Sequence, residues 1–276
     1  MTRLLDELQR LYFPAPWCGR VGAGNALPIQ ELSAAALAQG LAGEAPVQLA
    51  LASGEGSVRG MVLRFTRRGD WPRVAELYQS LQEELELPAP AIAASADDGY
   101  LLWLSLVEAT PVPVARNFLA ALCTRYLADL PPAAIAMLPG AGSESGLVGL
   151  VPALHGANGK WSAFIDPGMG SMFIDESGLD MAPNLERQAE MLAGLRSISP
   201  AALQRAQHLL AAAVAPVPAA AASNPPGSPA SATLSATFTD AQSFLLAVIN
   251  DPSVSLSQRI EAATALLPYT ARKSAG

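Results

Sequence analysis

Lysine is nearly missing from this chain: of its 17 basic residues only Lys160 and Lys273 are lysines, so arginine carries almost all the positive charge. Set against 24 acidic residues, this leaves a net charge of -7 and a pI near 4.9. That balance excludes a surface that is basic all round, while leaving room for a local basic patch. Cysteine is equally scarce. Cys18 and Cys123 are too few for a disulfide framework and too far apart for a zinc ligand set, and read as buried, reduced thiols. No apolar run reaches the roughly 20 residues that a membrane-spanning helix needs. The first segment, MTRLLDELQRLYF, is interrupted by Asp6, Glu7 and Arg10 and lacks the continuous apolar centre of a signal peptide. A cytoplasmic location without membrane attachment is the expectation. The patterns GxSxG, HExxH, CxxC and the P-loop are all missing, and no cofactor or metal is expected.

What is abundant is apolar residues, 51% of the chain, enough to bury a sizeable core. They concentrate in the stretch Pro88–Pro113. Its two runs, Ala91–Ser95 and Tyr100–Val107, predict antiparallel strands joined at Asp98-Gly99, a dipeptide suited to the positive backbone angles of a tight hairpin. The second run, YLLWLSLV, is apolar almost throughout, which predicts a central strand buried on both faces.

Around this hairpin the chain supplies strands at Val47–Ala52 and Gly60–Thr66, a helix at Trp71–Glu86 with Asp70 as its cap, a second helix through Val114–Tyr126 capped by Thr110, and a strand at Ala134–Leu138. From Gly60 the order is strand, helix, strand, strand, helix, strand. That is the split βαβ pattern: an α+β fold with a ferredoxin-like, RRM-like antiparallel sheet and two helices on one face. Before it, residues 1–46 read as an N-terminal helical segment, with a second helix at Pro28–Leu41. After it, short strands at Leu147–Val151, Trp161–Ile165 and Ser171–Ile174 extend the sheet, and helices at Asn184–Arg196 and Pro200–Val214 close the domain over 47–214. Residues 215–240, rich in Ala, Pro and Ser and with almost no large apolar groups, read as a disordered linker. Residues 241–276 read as a helical hairpin whose apolar face, carried by Phe244, Leu245, Val248, Ile260 and Leu267, docks on a protein partner or on a second copy.

Arg59, Arg64, Arg67, Arg68 and Arg73 fall close together beside the predicted sheet. The uncovered face of such a sheet is a platform on which arginines hold phosphates and an aromatic such as Tyr100 stacks a base, so single-stranded or duplex DNA is the expected ligand. The competing reading is a solvated strand end whose charges meet nearby carboxylates. Asp97 and Asp98 could hold a cation, although turn chemistry alone selects Asp before Gly. Asp166, Asp175, Glu176 and Asp180 read as surface carboxylates. His155, in a glycine-flanked loop near Lys160, could face a ligand; His208 has no visible partner. GRVGAG lacks the strand before it and the Lys-Ser/Thr after it that phosphate binding requires.

The run GMVLRFTRRGDWPRVAELYQSLQEELELPAPAIAASADDGYLLWLSL resembles the core of archaeo-eukaryotic-type primases of plasmids and integrated elements. Where that family carries its metal-binding acids, this chain has Leu63, Arg64, Phe65 and Thr66, and Tyr100 stands where a histidine is often found. The resemblance therefore implies a catalytically degenerate, primase-like accessory protein that binds nucleic acid. Two further readings stay open: a protein-interaction or regulatory module without nucleic-acid affinity, and a nucleotidyltransferase whose metal is held by Asp70 or Asp98. The tail segment FLLAVINDPSVSLSQRIEAATALLPYTARK is similar to a helical segment of phage terminase small subunits, carried by Phe244, Leu245, Leu246, Asp251, Pro252, Arg259, Ala262, Ala263, Pro268 and Tyr269. It implies a mobile-element setting.

Overall fold

In the computed structural model, residues 2–22, 27–97, 99–140 and 146–214 are described. The chain divides into two units, Met1–Val217 and Pro218–Gly276. All described residues belong to the first; the linker, the tail and its docking residues, and Asp98, lie outside them.

The apolar hairpin sits where its composition demands. Strands β4 (Ser57–Phe65), β5 (Ala91–Ala94), β6 (Tyr100–Pro111), β7 (Ile135–Leu138), β9 (Ala153–His155) and β10 (Lys160–Ile165) form a six-stranded sheet ordered β7-β4-β6-β5-β10-β9. Every pairing in it is antiparallel. Strand β6 lies inside the sheet, between β4 and β5. Gly99, at the hairpin turn, takes φ of 96°, and a Cβ built there would lie 2.1 Å from the Phe65 carbonyl oxygen, so only glycine fits.

Strand residues alternate between faces, and the two faces meet different layers. Met61, Leu63 and Phe65 of β4 and Leu102, Leu104 and Leu106 of β6 join a core with α3 (Trp71–Glu83), α4 (Val112–Tyr126) and α6 (Pro200–Val214). Val62, Leu101 and Trp103 turn the other way. They pack with α1 (Thr2–Leu11), α5 (Leu185–Ala193), α2 (Ala34–Leu41) and a second, four-stranded sheet ordered β2-β1-β3-β8. That sheet comprises β1 (Cys18–Val21), β2 (Gln30–Glu31), β3 (Val47–Ala50) and β8 (Leu147–Gly149). Trp103 anchors this second core, with ring centroids 5.0 Å from Tyr12, 5.9 Å from Phe164 and 6.0 Å from Phe13.

Several expectations change as a result. The sheet has no bare platform, because both of its faces carry an apolar layer; this is why YLLWLSLV has no polar alternation. Residues 1–46 are not a separate helical segment: β1 pairs with β3 across the expected boundary, and Leu4, Leu8 and Leu11 are buried in the second core. The helix expected from Pro28 begins only at Ala34, where the Ser33 side chain accepts from the Ala36 amide at 3.2 Å. Strand β8 extends the small sheet rather than the large one, while β10 does join β5. The strand expected at Ser171–Ile174 is instead a 3-10 turn over Pro167–Phe173, capped by Asp166. Close approach explains it: a Cβ on Gly170 would lie 1.9 Å from the Trp71 ring. Thr110 belongs to β6, and α4 starts at Val112 without a side-chain cap. Among the described residues no helix is long and apolar enough to cross a membrane.

Candidate functional site

The arginines that sequence proximity groups together are dispersed by the fold, and each has internal work. Arg59 donates to the Arg10 carbonyl at 3.0 Å. Arg64 donates to Asp97 at 3.3 Å. Arg67 grips Asp70 with two hydrogen bonds, 3.1 and 2.8 Å, and Arg68 reaches the Asp175 carbonyl at 2.6 Å. Asp70 therefore stands at the head of α3 without capping it, its carboxylate turned to Arg67. Arg73 lies between Glu76 at 2.6 Å and Asp129 at 2.5 Å, and the hydrogen bonds it donates, first to Glu76 and then to Asp129, hold its guanidinium still more firmly protonated. Tyr100 is 0% exposed, its ring 5.0 Å from Trp71 and its hydroxyl donating to the Gly170 carbonyl at 2.9 Å. It cannot stack a base. Burial pushes its phenol up to about 12.

Leu63 and Phe65 are buried against the helices, and the Thr66 hydroxyl donates to the carbonyls of Ala133 and Ala134 at 3.3 Å. Among the described residues, no group of three or more His, Cys, Asp or Glu side chains is placed to hold a metal ion.

Arg64 leads to a different site. Being one residue beyond Leu63, it points away from the helices, into a cleft of about 770 Å³ bordered by β3 and β8 on one side and by the end of the large sheet on the other. The cleft wall is aliphatic, with Leu101, Leu138, Leu147, Val148 and Leu154 as its principal side chains. Four of its polar side chains, Arg64, Ser95, Asp97 and His155, form one connected cluster, and Glu44, Gln48 and Ser162 line it as well. Asp97 takes Arg64 on one carboxylate oxygen and His155 Nε2 on the other, and its amide donates to Ser95 Oγ at 3.2 Å. His155 Nδ1 lies 3.3 Å from Asn158 Oδ1, and Asn158 Nδ2 donates to the Ala96 carbonyl at 2.5 Å, tying the His155 loop to the exit of β5. Ser162, on β10, accepts from the Ala153 amide at 3.0 Å and so is committed to the sheet margin.

This cluster can bind but is poorly arranged to attack. Both imidazole nitrogens of His155 are engaged, by Asp97 and Asn158, and neither faces a hydroxyl or thiol among the described residues. Lys160 is held apart by Glu176 and Asp180, each at 2.5 Å; the hydrogen bonds it donates, first to Asp180 and then to Glu176, raise its pKa. Asp166 serves as a turn cap, His208 is exposed on α6, and both cysteines are free and half-buried.

In sequence, Arg64, Asp97 and His155 stand out for three unrelated reasons, and nothing there brings them together. Nothing local could have done so, because the pairing of β5 with β10 is what sets the His155 loop beside Asp97. The aliphatic wall, and Ser95 and Ser162 with it, carried no sequence signal at all. No protein-family model matches the chain, and no curated protein matches it.

Proposed function

We propose that this chain is a binding module rather than an enzyme, with the cleft between its two sheets as its ligand site. The single observation that carries this reading is the cleft itself: about 770 Å³, walled by aliphatic side chains, with one connected polar cluster at Arg64, Ser95, Asp97 and His155. A concave apolar site with a few converging polar groups is the usual form of a small-molecule site.

The strand order β7-β4-β6-β5, with α3 and α4 as the crossing helices, supports a ferredoxin-like core. It is in keeping with the primase-like resemblance of the sequence, with hydrophobic, basic and hydroxyl side chains at Leu63–Thr66 in place of acids. DNA contact through Arg59, Arg64, Arg67, Arg68 and Arg73 draws less support, since these guanidinium groups already serve internal partners and the sheet is covered on both faces. Two free thiols favour a reducing, cytoplasmic setting.

Ligand-induced stabilisation tests the reading. A molecule that binds the folded chain raises its unfolding temperature in a saturable way. A Cβ on Gly149, in the cleft wall, meets nothing within 4 Å, so Gly149→Phe is expected to fold and to take up space in the cleft. Ligands that stabilise the natural chain are expected to leave Gly149→Phe unchanged. Equal stabilisation of both would place binding elsewhere. Salt-dependent retention on single-stranded DNA, lost in Arg64→Ala with Arg67→Ala, would favour the nucleic-acid reading instead.

A further inference from the structure

Resting on the reading of the cleft as a ligand site, we infer that its ligand is an aliphatic monocarboxylate, the carboxylate held by Arg64 and the chain laid along the leucine and valine wall.

The wall restricts the body of the ligand. Among the described lining residues there is no Phe, Tyr or Trp, so a flat nucleobase or flavin would find only the His155 imidazole, already held by Asp97 and Asn158, and the Arg64 guanidinium to stack on. Flexible aliphatic chains lose nothing by that absence, because burial of methylene groups against Leu101, Leu138, Leu147 and Val148 is non-directional.

The polar cluster restricts the head. Arg64 side-chain exposure is 42%, and its guanidinium makes a single 3.3 Å hydrogen bond to Asp97. A planar, partly exposed guanidinium is suited to a carboxylate, which it can grip with two parallel bonds. Asp97 does not depend on Arg64 alone, since His155 Nε2 contacts its other oxygen. Arg64 can therefore change partners while Asp97 keeps one. Among the described lining residues Arg64 has the one guanidinium, and Glu44 and Asp97 line the cleft too, so a phosphate-rich polyanion would meet more repulsion than attraction. A single carboxylate asks for no more than the one guanidinium that the site offers, whereas a polyanion asks for several.

Isothermal titration of the full-length chain with decanoate tests this, with decanol and decylammonium as companions. Decanoate is expected to bind saturably at one site, more tightly than either companion, and at least about tenfold more weakly to Arg64→Gln. Arg64 is half-exposed, so Arg64→Gln should fold, and its unfolding temperature verifies that it has. If decanol or decylammonium binds as tightly as decanoate, and Gly149→Phe blocks all of them, the carboxylate assignment is overturned while the cleft survives as the ligand site. If Arg64→Gln binds decanoate like the natural chain, the anchor is overturned in the same way. Binding of decanoate that Gly149→Phe leaves intact, or no binding of any of the three, overturns the inference; the first of these results also removes the cleft.

Discussion

Arg64 and Asp97, 33 residues apart in sequence, meet at 3.3 Å across the mouth of the cleft, one from β4 and the other from the exit of β5. Both side chains are 42% exposed, so the pair sits in water-like surroundings where an ion pair contributes only about 0–1 kcal/mol. Its importance lies in what it does to the site. Asp97 is the built-in competitor for any anion that seeks Arg64.

Asp97→Asn should therefore separate stability from binding. Unfolding by urea is expected to shift by less than about 1 kcal/mol, in line with an exposed pair. Affinity for decanoate is expected to rise several-fold, because an amide still accepts a hydrogen bond but no longer repels a carboxylate. Titration calorimetry reads the second effect and urea midpoints the first. A fall in affinity would mean that Asp97 itself contacts the ligand head.

The neighbouring pair behaves differently because one member is buried. Asp70 is 6% exposed and receives both of its hydrogen bonds to side chains from Arg67, at 3.1 and 2.8 Å. Arg67→Met strands that carboxylate, and the expected loss is about 1–3 kcal/mol of unfolding free energy. Arg73→Met, whose exposed guanidinium lies between the exposed Glu76 and Asp129, should leave the urea midpoint unmoved. Similar costs for the two variants would show that the buried position of Asp70 does not matter.

These pairs also show how far local patterning reaches. The hairpin, both helices that flank it and the strand at Ile135–Leu138 were legible because turn chemistry and apolar periodicity are properties of a few adjacent residues. The second layer was not. Leu4, Leu8 and Leu11 announce an apolar helix face but do not say that it covers the back of β6, and CGRV reads as turn-rich chain until β3 is there to pair with it. YLLWLSLV contained the missing clue. A strand apolar on both faces demands two covers, and only one had been assigned. The site followed the same rule: Arg64, Asp97 and His155 were each visible, while their meeting depends on register between distant strands.

Two glycines fix the helix-side geometry and can be tested together. Gly170→Ala drives a methyl group to within 1.9 Å of the Trp71 ring, and Gly99→Ala combines a φ of 96° with a 2.1 Å approach to the Phe65 carbonyl. Overpacking of the first kind costs about 1–3 kcal/mol. The second obstacle is backbone rather than a movable ring, so Gly99→Ala is expected to be the more destabilising in thermal and urea unfolding. The reverse order would mean that the hairpin turn relaxes more easily than the indole.

Alkaline pH provides the last test, through groups that burial holds in their neutral form. Tyr100 is pushed up to about 12 by burial, Tyr12 is raised further by the same cause, and the Cys123 thiol is raised to about 11. Each folded value lies above the unfolded one, about 10 for a phenol and about 8.5 for a thiol. In that interval the folded chain holds more protons than the unfolded chain, so stability must fall as pH rises. The contribution of Tyr100 is thus intact below about pH 10 and lost as pH climbs towards 12. Tyrosinate absorbance of Tyr100 should consequently appear with cooperative unfolding rather than before it. Tyr100→Phe, which leaves the Gly170 carbonyl without its 2.9 Å donor, is expected to lower stability at neutral pH by about 0.5–1.5 kcal/mol and to flatten the alkaline decline. If the decline keeps its full slope in Tyr100→Phe, the proton release on unfolding that drives it belongs to Tyr12 and Cys123, and the hydroxyl of Tyr100 is more accessible than its place beneath Trp71 indicates.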